Sequence, residues 1–550
     1  MAFMERNQTQ VKLCGGILAA CHEKVRRNFY ERISERTHAE VYAGTHDLRY
    51  AEPEFTGKYL DICARYYEME GDTRAREKGM TVIDSIRRNM RADGYIGCLE
   101  AGNERAAFSI WNHGFTMYGI TRMYEATGDE SILALAKRAG DFILATFADP
   151  AAPDILNATN DGSQHISCLY AMGRLYMASG EKKYLDFVGR VIAYCETTDM
   201  PLLSYESIFD LRSKKGIEML VVYLGVLQYG LLTKNDKAIC AAERYWQEIW
   251  ETQIRNTGNG TVKERWTAGG NAARFMPTEE KPNETCVAVG WIELSLALFH
   301  VTGQAKYLDA IEKSLFNHMI GSLDRSGEDF AYYQGNYGRK IYRTNEGMYQ
   351  CCRYRGFTLF SYLAACLYAF DGETVTPMVY CDSELCAEGL SLTQKTAFPA
   401  DGKIDFAVNN QIAQFIKLRI PAWCDRFALS VNGTPVAVEA KDGFVILPLE
   451  KGESNISLIL SMPVVIEQHV IDDKPYLSVQ YGPLLLASDT HYGNGQWDGL
   501  RADATLRRED AGESSVVHFI ADGLHLVDFG SAGGNDPEND LYTVFIPELQ

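Results

Sequence analysis

The stretch Tyr124-Glu125-Ala126-Thr127-Gly128-Asp129 reads as the end of one helix and the start of another. Glycine suits the left-handed conformation that closes a helix, and the aspartate after it can cap the next one. Just downstream, Ile132, Leu133, Leu135, Ala136, Ala139, Ile143 and Leu144 fall on one helical face. The unit is therefore a helical hairpin. It recurs around residues 66–72, 176–181, 232–236 and 300–304, with the breaks Gly71, Gly128, Gly180, Asn235 and Gly303 standing 57, 52, 55 and 68 residues apart. Each break residue is expected in the left-handed region. After the last, Tyr307, Leu308, Ile311, Leu315 and Phe316 repeat the apolar face. Five or more such hairpins stack as an open solenoid or close into a double-ringed toroid. The unequal loops carry polar and aromatic clusters, which favours the toroid, with a carbohydrate cleft at its open end. An (α/α) toroid is expected over residues 1–373.

After Asp371 the period changes from helical to alternating. Segments such as 403–408, 414–420, 444–448 and 456–460 read as short strands, separated by turn chemistry at Pro399-Ala400-Asp401-Gly402 and Asn432-Gly433. Residues 374–550 are expected to form an antiparallel β-sandwich domain or domains, with a polar loop or insertion near 488–515.

A 550-residue chain is long enough for two domains, and 46% hydrophobic residues supply their cores. The net charge of -19, spread rather than clustered, argues against nucleic acid or an anionic membrane as partner. Residues 1–24 lack an apolar core of signal-peptide length, so a cytoplasmic location is expected. The most apolar window, residues 219–232, reads as a buried helix rather than a membrane span. Most of the fourteen cysteines are scattered and read as buried thiols.

Three of them stand in different company. Glu284 and Cys286 sit where a buried helix begins, and the adjacent Cys351 and Cys352 precede another apolar helix, expected over 357–370. One carboxylate and three thiols suffice to close a tetrahedron around a soft divalent ion such as zinc. The free N–H groups of a helix start favour ionised ligands. On spacing alone the set reads as a structural ion site before a catalytic one. The plain alternative is two unrelated buried thiol sites.

The phrases Asn283-Glu284-Thr285-Cys286-Val287, Cys351-Cys352, Leu418-Arg419-Ile420-Pro421-Ala422-Trp423, Val431-Asn432-Gly433 and Tyr481-Gly482-Pro483-Leu484 resemble glycoside hydrolase family 127, the zinc–cysteine β-L-arabinofuranosidases. The resemblance implies Zn2+ held by Glu284, Cys286, Cys351 and Cys352, with Cys351 as nucleophile. It implies an acid/base glutamate upstream, for which Glu264 is the candidate, although Lys263 replaces the usual glycine. Glu279 and Glu280 lie nearer the metal motif but read as exposed. A substrate-binding histidine is implied at His165, and His113 stands in a similar frame. Where the arabinofuranosidases proper carry another histidine this chain has Ile217, leaving Glu218 to face the cleft. Trp111 and Tyr333 are candidates to stack on a sugar.

These readings point to a retaining exo-glycosidase that releases terminal β-L-arabinofuranose or a related sugar from a small carbohydrate or oligosaccharide. A homodimer through the sandwich is possible. The alternatives are a metal-stabilised carbohydrate-binding scaffold and a toroid-fold sugar lyase or epimerase.

Overall fold

The computed structural model describes residues 10–42, 52–97, 99–106, 108–148, 153–268, 281–342 and 351–549. The sequence breaks become the hairpin turns. Helix α1 spans Gly16–Arg32; the hairpins are then α2 (Glu52–Glu70) with α3 (Thr73–Asn89), α4 (Ser109–Thr127) with α5 (Glu130–Thr146), α6 (Cys168–Ser179) with α7 (Lys182–Cys195), α8 (Gly216–Thr233) with α9 (Asp236–Thr252), and α10 (Thr285–Thr302) with α11 (Ala305–Lys313). Helix α12 (Cys351–Tyr362) follows.

Gly128, Gly180 and Gly303 close their helices with φ of 69°, 70° and 68°. Asp72 and Asp129 cap the next helices through Arg74 N and Ser131 N. The fourth break differs from expectation: Lys234 takes the left-handed position with φ 55°, and Asn235 is the N-cap, accepting from Ala238 N–H.

Among the described residues, α2, α4, α6, α8, α10 and α12 each pack on the next, and α12 packs back on α2, which closes an inner ring. The outer partner of α12 is α1. The last hairpin is thus made from the two ends of the helical region. Helices α8 and α10 are long and apolar enough to cross a membrane by composition, but each has 78% of its most apolar window buried inside the protein. Their burial on all sides follows from their place in the inner wall.

Helix α12 ends at Tyr362, a turn of 3-10 helix spans Leu363–Cys366, and Tyr368–Phe370 is a strand, so the helix expected to run to Phe370 stops earlier. Among the described residues, one sheet orders seven strands as Gln10–Leu13, Ser383–Ala387, Leu390–Thr396, Lys403–Asn410, Gly452–Leu460, Phe427–Val431 and Thr434–Pro435. The N-terminal strand Gln10–Leu13 therefore belongs to this sheet. A separate four-stranded sheet contains Phe415–Arg419. Arg419, fully buried, reaches back to the toroid: its guanidinium is 2.7 Å from Asp309 Oδ1 and pairs with Glu312, which also accepts from the Trp423 indole at 2.8 Å. A further sheet, built on Lys474–Tyr481 and Leu484–Asp489, includes Tyr542–Thr543, which pairs with the short strand Tyr337–Gly338. The polar stretch near 488–515 contributes the short strands Leu500–Arg501 and Arg507–Glu509.

Candidate active site

Two inner helices begin at the same point. Glu284 is the N-cap of α10, Cys286 is its second residue, and Cys351 and Cys352 are the first two residues of α12. One ligand atom from each of the four lies within 4.8 Å of all the others. Cys286 Sγ is 3.1 Å from Cys351 Sγ, and Cys286 N–H donates to Cys352 Sγ at 3.3 Å. Glu284, Cys286 and Cys352 are buried, whereas Cys351 is partly exposed. The segment 330–334 crosses the two helix starts: Tyr332 O accepts from Thr285 N–H at 3.0 Å, and Tyr333 bridges Glu284. The Tyr332 hydroxyl sits 3.4 Å from Cys351 Sγ.

Electrostatics separate the three thiols. Burial pushes Cys286 and Cys352 well above a thiol's usual range. Cys351 is held well below it, chiefly by hydrogen bonds from the Cys286 and Cys352 thiols, with help from Lys58 and Tyr332. Burial also raises the Glu284 carboxyl, and its Oε2 is buried without a hydrogen-bond partner. An orphaned carboxylate oxygen beside three thiols is the donor set a soft divalent cation satisfies. The cluster can hold a metal ion.

Glu264 joins the same wall. Lys263 and Glu264 adopt φ of 50° and 65°, in a tight turn where Val262 bridges Arg265. This turn aims the Glu264 carboxylate at the Tyr333 hydroxyl and the Lys215 ammonium, both of which donate to it. Burial works against the charge of Lys215, but Glu284 and Glu264 outweigh it and raise its pKa. Tyr333 is thus a hydrogen-bond donor in this wall. Glu218, on the first turn of α8, accepts from Asn160 Nδ2 and Ser163 Oγ, each at 2.5 Å, and burial pushes it up to about 7.

The other candidates divide. His165, on the short helix Ser163–Ile166, is fully buried with its ring 5.6 Å from Phe147. His113 has both ring nitrogens engaged within the fold: its Nδ1 accepts from Ile96 N–H at 3.2 Å and its Nε2 donates to Ala139 O at 2.9 Å. With both nitrogens engaged and burial lowering it to about 4, it is a neutral tie between a loop and the helices. Trp111, 5% exposed, hydrogen-bonds Glu54 and lines a pocket inside the ring with Phe115, Tyr118, Tyr170, Glu293 and Arg355. Glu279 and Glu280 lie outside the described residues. Tyr332, Lys215 and the buried pair Glu54–Lys58 carry no sequence motif. The one signal was the i, i+4 spacing of Glu54 and Lys58, which on a helix usually marks a surface pair.

Comparison with known proteins agrees with this geometry. A family model described as "Beta-L-arabinofuranosidase, GH127 catalytic domain" matches residues 3–365. One for the GH127 middle domain matches residues 374–462. The chain is 25% identical over 558 residues to a non-reducing end beta-L-arabinofuranosidase of Bifidobacterium longum subsp. longum, covering 88% of this chain and 82% of that protein. The fold matches the crystal structure of a GH127 beta-L-arabinofuranosidase from Geobacillus stearothermophilus T6 with a TM-score of 0.81 at 16% identity, over 98% of this chain and 100% of that one. A second solved GH127 beta-arabinofuranosidase gives 0.80 at 19% identity, over 98% and 97% of the two chains. With its catalytic and middle domains both matched, the chain belongs to the GH127 β-L-arabinofuranosidase family and is a glycoside hydrolase.

Proposed function

We propose that this hydrolase works by double displacement, with Cys351 as nucleophile and Glu264 as acid/base, and that it removes a terminal β-L-arabinofuranose or a closely related sugar from a glycan. The observation that carries the proposal is the convergence of the three thiols and Glu284, with Cys351 alone partly exposed and Glu264 in the adjoining wall. Glu284, Cys286, Cys351 and Cys352 would hold zinc. Bound there, zinc supplies a charge that keeps its thiol ligands deprotonated at neutral pH.

In the first step Cys351 Sγ bonds to the anomeric carbon as the glycosidic C–O bond breaks, and Glu264 gives its proton to the departing oxygen. In the second, Glu264 takes a proton from water, the water oxygen bonds to the anomeric carbon, and the C–S bond breaks to return the thiolate. Two inversions give net retention. Cys351 takes the place of one carboxylate of the usual retaining pair. Ile217, where the arabinofuranosidases proper carry a histidine, makes Glu218 the polar group of the first turn of α8, and the sugar is chosen there.

The test is zinc content together with hydrolysis of 4-nitrophenyl β-L-arabinofuranoside by the wild type, Cys351→Ser and Glu264→Gln. Both variants are expected to lose activity on a substrate with a poor leaving group. Glu264→Gln is expected to keep the glycosylation step on the nitrophenyl substrate, whose departure needs no acid. Full activity of Glu264→Gln on the poor leaving group sinks its role, and an active Cys351→Ser sinks the nucleophile.

A further inference from the structure

Among the described residues, three buried or half-buried ion pairs lie around the thiol cluster, and the proposed reaction uses only Lys215–Glu264. Glu293–Arg355 joins α10 to α12, with Arg355 Nη2 2.6 Å from Glu293 Oε2. Glu54–Lys58, on the first turns of α2, is buried more deeply, with side chains 6% and 3% exposed. The Trp111 indole also hydrogen-bonds Glu54. The Lys58 ammonium lies 5.2 Å from the centre of the Phe115 ring and 5.8 Å from that of Phe55, and 3.5 Å from the carbonyl oxygen of Cys351.

A buried ion pair is costly to desolvate, and apolar residues of similar size often serve the fold as well. Its position beside a nucleophile gives a reason to keep it. The C–S bond of a thioglycosyl intermediate breaks only if sulfur leaves as a thiolate, so negative charge returns to Cys351 as water attacks. A fixed cation at the residue, 3.5 Å from its carbonyl oxygen, stabilises the charge where it develops. The same cation stabilises the free thiolate before attack, so it helps the second step without helping the first.

We propose that Lys58, held by Glu54, is a positioning residue that makes Cys351 a good leaving group in the second half of the reaction. The inference rests on Cys351 being the nucleophile. It predicts a kinetic signature that a structural ion pair does not have.

The variants are Lys58→Met, the paired Lys58→Met/Glu54→Gln, which leaves no orphaned carboxylate and so keeps the fold, and Lys58→Arg, which keeps the charge. With 4-nitrophenyl β-L-arabinofuranoside, the paired variant is expected to lose kcat and KM together by about tenfold or more. Its kcat/KM should stay within about threefold of wild type, and acid-quenched protein should carry accumulated glycosyl-enzyme by mass spectrometry. Lys58→Arg should recover most of kcat. A paired variant with wild-type kcat and KM, or one that loses kcat/KM with no accumulated adduct, overturns the inference while leaving the nucleophile in place. An active Cys351→Ser overturns both.

Discussion

Cys351 differs from Cys286 and Cys352 in what surrounds its sulfur. It alone is partly exposed, and it alone meets the Tyr332 hydroxyl. A hydrogen bond to a charged group contributes about 1.5 kcal/mol or more, or roughly a factor of ten in rate. Tyr332→Phe is therefore expected to lower kcat about tenfold without loss of zinc, because Tyr332 O still accepts from Thr285 N–H. Steady-state kinetics with metal analysis checks this, and an unchanged kcat contradicts it. At this scale the sequence revealed the residues that carry a motif. Glu284, Cys286, Cys351 and Cys352 were legible because thiols and a carboxylate at helix starts are rare. Glu264 was legible only through the family resemblance, since its placement depends on a left-handed turn after Val262. Tyr332, Lys58 and Lys215 were not legible: they reach the site through tertiary packing, and nothing local distinguishes them from surface residues of the same kind.

The helices were read more completely than the site because each hairpin advertises its own turn. Gly71, Gly128, Gly180 and Gly303 all adopt the left-handed region expected of them. The hairpin of α12 and α1 was hidden because its halves lie at opposite ends of the helical region. The contact between α2 and α4 shows what the ring demands. A Cβ on Gly57 would lie 2.2 Å from Phe115 O, and one on Gly119 would lie 2.4 Å from Gly57 O. Backbone stands against backbone here, so no side chain can give way. Gly57→Ala is expected to destabilise the protein by about 3 kcal/mol or more, which urea unfolding would measure. A loss under about 1 kcal/mol would mean that the helices separate easily. The same crossing sets α2, and with it Glu54 and Lys58, against the site.

Across the whole molecule, the wall of the candidate site is tied to the C-terminal sheet. The chain that carries Tyr332 and Tyr333 continues into Tyr337–Gly338, paired with Tyr542–Thr543, and on to Lys340. Lys340 is buried and donates to Phe529 O at 3.1 Å and Gly530 O at 2.8 Å. Burial pushes it down to about 7 from the usual lysine value, against the pull of Asp528 and Asp489. Its folded pKa therefore lies below its unfolded one, so the unfolded chain binds more protons above about pH 7. The cost of burying the charge is fully present below that pH and is relieved as pH rises toward the unfolded value. The slope approaches about 1.4 kcal/mol per pH unit. Stability measured by urea unfolding should rise from about pH 7 to about pH 9, and Lys340→Met should flatten the rise. An identical slope in the variant would assign the effect elsewhere. This tie was invisible in the sequence, because a strand of two residues and a lone lysine carry no periodicity.

In the proposed reaction a cysteine, not a carboxylate, takes the sugar. Glu264→Gln enzyme mixed with 4-nitrophenyl β-L-arabinofuranoside, quenched in acid, digested and sequenced by tandem mass spectrometry tests it directly. One anhydropentose on Cys351 is expected. An adduct on Glu264, Glu218 or any other residue, or release of nitrophenol with no adduct at all, would contradict it.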